Sequence, residues 1–306
     1  MSKGGGGAKS RASGGADGGA NSRTWGAVVL TRGDRPAMLD RAVQSLLRQR
    51  DVEVDVVVVG NGWQPTGLPA AVKGVGLEED RGIPAGRNAG VPAVDGDLLF
   101  FLDDDAEIVD DDALARLAPM FGDAGLVQLR VEPRDGGRRS SDWSPRLGAG
   151  DPQRSGDVTA VWEGAVAMPR AVFEEVGGWP SEFRFVHEGV DLAWRVMDAG
   201  HRVRYAGDLA VLHPPPPPNP TRHAYSTYFG ARNRVWLARR HLPLPLGVVY
   251  ALTFLLRAWP RLASPRERQA LLRGYLDGLR KPCGPRRRLR ARTLWRMTRA
   301  GRPPLL

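Results

Sequence analysis

Cys283 is the one cysteine among 306 residues, so no disulfide can form within the chain and its core must hold the fold. A reducing compartment suits such a chain. Lysine is nearly absent: of 44 lysine and arginine residues, only Lys3, Lys9, Lys73 and Lys281 are lysines. The net charge of +10 is therefore arginine charge. Together with the glycine, alanine and proline content, it reads first as the mark of a G+C-rich coding sequence. It also admits anionic partners: nucleotide diphosphates, anionic lipids or nucleic acid. A long uninterrupted apolar run is missing too. The most apolar stretch, 242–262, is broken by Pro243, Pro245, Arg257 and Pro260. It predicts a helix that packs or lies at an interface, not one that spans a bilayer. Residues 1–23 lack the apolar centre of a signal peptide and read as a disordered Gly/Ser-rich tail. No internal repeat is present.

What is present alternates. Short apolar runs at 25–31, 52–59, 72–77 and 97–102 predict buried strands. Between them, 36–48 and 83–91 carry helical spacing, with Pro36 and Pro84 suited to first turns. This is the pattern of a parallel sheet flanked by helices, whose ligands bind beyond the carboxyl ends of the strands. Thr31, Asn61 between Gly60 and Gly62, and Asp103 to Asp105 all fall at such ends. Residues 127–157, rich in Gly, Arg, Ser and Pro, read as a long loop. Strand character returns at 158–168, 202–205 and 209–213. Helices are predicted over 170–176, 190–199, 221–241, 244–259, 265–279 and 286–299, with a rigid proline connector at 214–218.

Asp103, Asp104 and Asp105 are the strongest local signal. Adjacent carboxylates repel one another unless a cation joins them. Alternation along a strand lets Asp103 and Asp105 point the same way and share a hard ion such as Mg²⁺ or Mn²⁺. The plainer alternative is a helix cap near Asp110 or a solvated acidic loop.

Six segments in order then resemble glycosyltransferase family 2, the inverting GT-A group that includes rhamnosyltransferase-like bacterial sugar transferases. Asp103 to Asp105 resemble its DXD element. Val28 to Thr31, with Arg32 and Arg35, are similar to its first strand and nucleotide loop. Gly86, Arg87, Asn88 and Gly90 resemble its R-N-x-G element. Glu163 to Met168, followed by Gly178 and Trp179, resemble its acceptor-side segment. Glu188, Asp191, Trp194 and Arg195 resemble its E-D-x-D-L-x-W-R helix start, and His213 ends a strand like its late metal-binding histidine.

The resemblance implies an α/β GT-A, Rossmann-like mixed sheet flanked by helices, with a helical C-terminal appendage. Its parts would be the tail at 1–23, a catalytic domain at 24–220 and a helical region at 221–306. It implies transfer of a sugar from a nucleoside-diphosphate donor to a hydroxyl on a glycan or lipid-linked acceptor, in cell-envelope polysaccharide or glycolipid synthesis. Thr31, Arg32, Arg35, Asn61, Arg87, Asn88, Asp103 and Asp104 would bind the donor. Asp103, Asp105 and His213 would hold Mg²⁺ or Mn²⁺. Glu163, Gly164, Gly178, Trp179 and Trp194 would line the acceptor side. Glu188, ahead of Asp191, would be the general base.

Two departures stand out. Gly189 replaces the second acid of the family's E-D pair, and Asn61 lies where family members commonly have an aspartate that reads the nucleobase.

From Arg286 to Arg299, arginines alternate with Leu289, Leu294, Trp295 and Met297, the pattern of a basic amphipathic helix lying on anionic membrane or of a solvated tail. The expected location is the cytoplasm, at the inner face of the cell membrane. Two other readings compete: a nucleotidyltransferase, for which 31–36 lacks a glycine-rich phosphate loop, and a basic nucleic-acid binder, for which the arginine region lacks any known reading motif.

Overall fold

The computed structural model describes residues 24–137, 143, 151–215, 220–262, 264–300 and 303. The predicted tail at 1–23, much of the predicted 127–157 loop and positions 216–218 of the proline connector lie outside them.

The first half alternates as its sequence predicts: β1 (Thr24–Thr31), α1 (Pro36–Leu47), β2 (Glu53–Asn61), β3 (Val72–Leu77), α2 (Ile83–Gly90), β4 (Leu98–Asp103), β5 (Glu107–Ile108), α3 (Ala113–Leu117) and β6 (Ala124–Pro133). Then come β7 (Gly156–Asp157), β8 (Ala165–Pro169), α4 (Arg170–Val176), α5 (Glu188–Ala199), β9 (Arg202–His213), α6 (Pro220–His241), α7 (Leu244–Ala258), α8 (Pro265–Arg280) and α9 (Ala291–Arg299). One mixed sheet runs β3-β2-β1-β4-β8-β6-β9-β5, with β7 paired to β9. β1, β2, β3 and β4 are mutually parallel, while β8 is antiparallel to both β4 and β6.

Both faces of the sheet are covered, which is why β2 and β4 read as continuous apolar runs instead of alternating ones. Val56, Val58, Phe100 and Leu102 face one core with α1 and α3; Val57, Val59, Leu99 and Phe101 face the other, with α4 and α5. Register sets the site. Leu30 lies opposite Asp103 and Thr31 opposite Gly60, so the three polar strand ends finish level with one another.

The sequence misleads in four places. Residues 124–133 form strand β6, although 127–133 falls inside the predicted loop; the Gly- and Arg-rich stretch that follows masks the alternation of Leu129 and Val131 with Arg130 and Glu132. Within 158–168 only Ala165 onward is strand; the residues before it form an irregular segment that turns at Glu163 and Gly164. The two short strands predicted at 202–205 and 209–213 are one, β9, with a register shift opposite Leu129 and Arg130. The last helix begins at Ala291, and 282–290 crosses the surface without helical structure.

α9 does not project from the body. Thr293 and Met297 are buried, Thr293 Oγ1 donates to Asp198 at 2.7 Å, and Arg296 donates to the carbonyls of Met197 and His201 at the end of α5. Ser264 and Glu267 close a capping box at the start of α8. α8 packs on α6 across Gly274 and Gly278, where added methyl groups would meet the Tyr228 and Arg232 carbonyls. A Gly274→Ala variant therefore gains intrinsic helix propensity yet loses about 1–3 kcal/mol of stability from overpacking. Urea unfolding measures this, and a stabilised variant would contradict the packing.

Candidate active site

The turn after β4 concentrates the acids. Asp103 is the last strand residue, and its N–H donates to the Gly164 carbonyl at 2.9 Å, tying β4 to the segment entering β8. Asp104 is buried and accepts from Thr31 Oγ1 at 2.6 Å and Arg35 Nη2 at 2.5 Å. Asp105 accepts from Arg35 Nη1 and lies 3.0 Å from His213 Nε2. His213, at the end of β9, packs edge-on with the rings of Trp143 and Trp162, which also meet each other. Burial pushes the Asp104 carboxyl up to about 7, against the pull of Arg35 and Thr31. Burial also works to raise Asp105, but His213 and Arg35 outweigh it and hold that carboxyl below its ordinary range.

Ligand atoms of Asp103, Asp105 and His213 lie within 4.8 Å of one another. The second ring nitrogen of His213 is buried with no hydrogen-bond partner. Two carboxylates and an imidazole fit a divalent cation.

A second acidic group meets the first through α2. Gly86 and Gly90 press this helix onto the sheet: a Cβ at 86 would strike Leu30, and one at 90 would lie 2.6 Å from Val28 Cγ1. That close approach sends Arg87 inward. It is 1% exposed, stacks 4.9 Å over the Trp179 ring and donates to Asp103 at 2.6 Å. Its other terminal nitrogen lies 3.8 Å from Glu188 Oε1. Glu188 is 2% exposed, and its Oε2 has no partner. Burial, reinforced by the charge of Glu163, raises Glu188 to about 8. Burial likewise raises Glu163, whose Oε1 accepts from the Gly189 N–H at 2.8 Å. Glu163 as a whole residue is partly buried, whereas Glu188 is buried.

Other expected site residues do different work. Asn88 fastens α2 to the 177–181 turn, donating to the Trp179 carbonyl and accepting from the Trp179 N–H, both at 2.9 Å. Gly178 permits that latch, with φ at +67° and the Asn88 oxygen 3.0 Å from where a Cβ would stand. Trp179 is buried edge-on against Phe101 and shapes the floor instead of facing an acceptor. Asn61 spends both ends of its amide on Asp80 and the Arg81 N–H. Arg32 is exposed beside the strand end.

Asp191 and Trp194 leave the site altogether. Asp191 is fully buried and bound by Arg195 at 2.6 Å, His241 at 2.7 Å and Arg240 at 3.4 Å. Although burial opposes it, Arg195, with His241 and Arg240, holds its carboxyl well below the usual range, and these partners enclose it away from the metal-type acids. Trp194 packs against His241 and Tyr250 in the core. Its motif neighbours give no local sign of this, because both partners lie on later helices.

The match to the description Glycosyl transferase family 2 covers residues 27–177. The chain carries a glycosyl transferase family 2 domain. It is 25% identical over 191 residues to the O-antigen chain rhamnosyltransferase RfbN of Salmonella typhimurium, across 56% of this chain and 60% of that protein. It thus spans less than two thirds of that relative. Its fold is that of the GT-A glycosyltransferases. It superposes on S. aureus TarS 1–349, solved with UDP-GlcNAc, at a TM-score of 0.59 and 14% identity over 83% of this chain and 81% of that one. It superposes on the mannosyltransferase PcManGT of Pyrobaculum calidifontis, solved with GDP-Man and Mn²⁺, at 0.51 and 17% over 92% and 74%.

Asp104 and Glu188 retain protons that the unfolded chain would have released. Raised folded-state values add stability at low pH, and that stability is lost as pH rises through about 7 to 8. Chelator-treated protein should therefore melt at a lower temperature at roughly pH 8.5 than at pH 6. Mn²⁺ at a hundredfold excess over its Kd should restore about 2.7 kcal/mol. Thermal unfolding at both pH values checks this, and indifference to Mn²⁺ at the higher pH would contradict the metal site.

Proposed function

We propose that the protein transfers a sugar from a nucleoside-diphosphate donor to a hydroxyl of a glycan or lipid-linked acceptor, with inversion at the anomeric carbon, in assembly of cell-envelope polysaccharide or glycolipid. The grouping of Asp103, Asp105 and His213 at the carboxyl ends of the sheet of a family 2 domain carries this reading. The O-antigen relative and the nucleotide-sugar complexes of TarS and PcManGT support it.

Asp103, Asp105 and His213 would hold Mn²⁺ or Mg²⁺, which supplies positive charge against the departing diphosphate. Thr31 and Arg35 hold the acidic turn in shape and, with Arg32, border the donor's entry. Arg87 balances the acids beneath the sugar. Asn61 and Asn88 fix the 80–82 and 177–181 turns that wall the donor pocket, and Glu163 and Gly164 face the acceptor.

Calorimetric titration with UDP, dTDP and GDP, with and without Mn²⁺, tests the reading. One nucleotide should bind only with metal, and Asp105→Asn should abolish that binding. No binding of any of the three in the presence of Mn²⁺ would refute it.

The helical region supports residence at the inner, cytoplasmic face of the cell membrane. No helix among the described residues is long and apolar enough to cross a bilayer. Leu244, Val248, Leu252 and Leu256 nevertheless form an exposed stripe at four-residue spacing on α7, the two ends 72% and 73% exposed. On α8, Leu272, Leu276 and Leu279 are exposed as well. The two helices touch through Tyr275, whose hydroxyl donates to the Ala251 carbonyl at 2.6 Å. Exposed Arg257, Arg261, Arg273 and Arg280 accompany the stripes. Apolar stripes flanked by guanidinium groups suit an anionic lipid surface. The role expected of α9 thus passes to α7 and α8, since α9 turns Thr293 and Met297 inward. The protein should co-sediment with phosphatidylglycerol vesicles and not with phosphatidylcholine vesicles. A Leu252→Glu/Leu256→Glu variant should stay in the supernatant; its retention on the vesicles would count against the surface.

A further inference from the structure

Gly189 stands where the family pattern has an acid, and the structure shows what fills the space. A Cβ at 189 would lie 2.7 Å from both Cγ and Oε1 of Glu163 and 2.6 Å from the Val161 carbonyl oxygen. The Gly189 N–H donates to that same Oε1 at 2.8 Å. A carboxylate therefore occupies the place of the missing side chain, delivered from the segment that enters β8.

That segment is anchored on the other side as well. The Gly164 carbonyl, one residue on, accepts from the Asp103 N–H at 2.9 Å. Glu163 is thus pinned between the start of α5 and the acidic strand end. Glu188, by contrast, is 2% exposed, and the buried Arg87 lies 3.8 Å from its Oε1. Glu163, taken as a whole residue, is only partly buried.

We propose that Glu163 is the general base of the transfer, a carboxylate relocated from the α5 start to the loop before β8, with Gly189 as the vacancy that admits it. The assignment rests on the sugar-transfer reading above. As the acceptor oxygen bonds to the anomeric carbon, its proton passes to a carboxylate oxygen of Glu163. The bond from that carbon to the diphosphate breaks, and its electron pair leaves on the diphosphate oxygen. The carboxyl then gives the proton to water.

The test uses the full chain with Mn²⁺ and a panel of UDP-, GDP- and dTDP-sugars, with water as the acceptor and released nucleoside diphosphate as the readout. Glu163→Gln keeps an oxygen for the Gly189 N–H and should fold as wild type. It should hydrolyse donor about 10²–10⁴-fold more slowly, bind Mn²⁺–nucleotide within about twofold of wild type, and lose the acid limb of the pH–rate profile. Glu163→Ala should be as slow. Glu163→Ala/Gly189→Asp returns a carboxylate from the α5 side and should recover at least about tenfold over the single alanine variant.

Wild-type hydrolysis by Glu163→Gln would overturn the proposal. So would a double variant no faster than Glu163→Ala, or a wild-type protein that binds Mn²⁺–nucleotide but releases nothing from any donor. Absence of Mn²⁺-dependent nucleotide binding in the wild type would instead sink the underlying sugar-transfer reading.

Discussion

One buried guanidinium organises the site. Arg87 lies between Asp103 on the strand that carries the metal-type acids and Glu188 at the start of α5. Unpaired carboxylates in such surroundings cost several kcal/mol each, and a buried arginine without partners would cost as much. Each side therefore makes the other tolerable. The arrangement depends on Gly86 and Gly90, which let α2 lie close enough to the sheet for a side chain to reach inward, and on Asn88, which locks the same helix to the turn beneath Trp179. The short Gly-Arg-Asn-Ala-Gly run is thus an instruction for helix height, charge placement and latching, in that order.

A second knot of charge holds α5 to α6. Asp191, Arg195, Arg240 and His241 are all buried and bound to one another. It is a structural cluster, in which removing one member would strand the charge of the others. The contrast with the first knot is instructive. Two acids three residues apart, Glu188 and Asp191, start the same helix, yet one is raised by burial and a like charge, while the other is drained by surrounding cations.

Much of this was legible in the chain. Strands and helices alternate through Asp103 with boundaries close to those observed, because fully covered parallel strands leave continuous apolar runs. The acidic turn was legible for the same reason: it ends such a run. His213 could be paired with it only through resemblance, since 108 positions separate His213 from Asp105. The rest depends on contacts that no local pattern encodes. β6 was hidden by its flanking composition. Two of the three partners of Asp191, Arg240 and His241, lie on a helix some fifty residues later. The fit of Glu163 against Gly189 is a matter of one missing methyl group seen in three dimensions. The apolar face of α9 was read correctly as a face and wrongly as a free one, because amphipathicity says that a helix has a partner without saying which.

The loop before α5 holds Arg184, Val186 and His187 at φ of +63°, +55° and +66°, conformations that cost about 1–3 kcal/mol each for residues with side chains. Asn233 and Arg232, on α6, grip the loop by its carbonyls: Asn233 Nδ2 reaches Phe185 and Val186 at 2.8 Å, and Arg232 reaches Phe183 at 2.7 Å. The helical region therefore stores the tension that aims Glu188. The sheet domain and its appendage are thus joined at the loop that carries the start of α5. A chain ending before α6 would be a protein with a different loop, not a smaller copy of this one, and exchange of such appendages between relatives must carry the loop along with the helix.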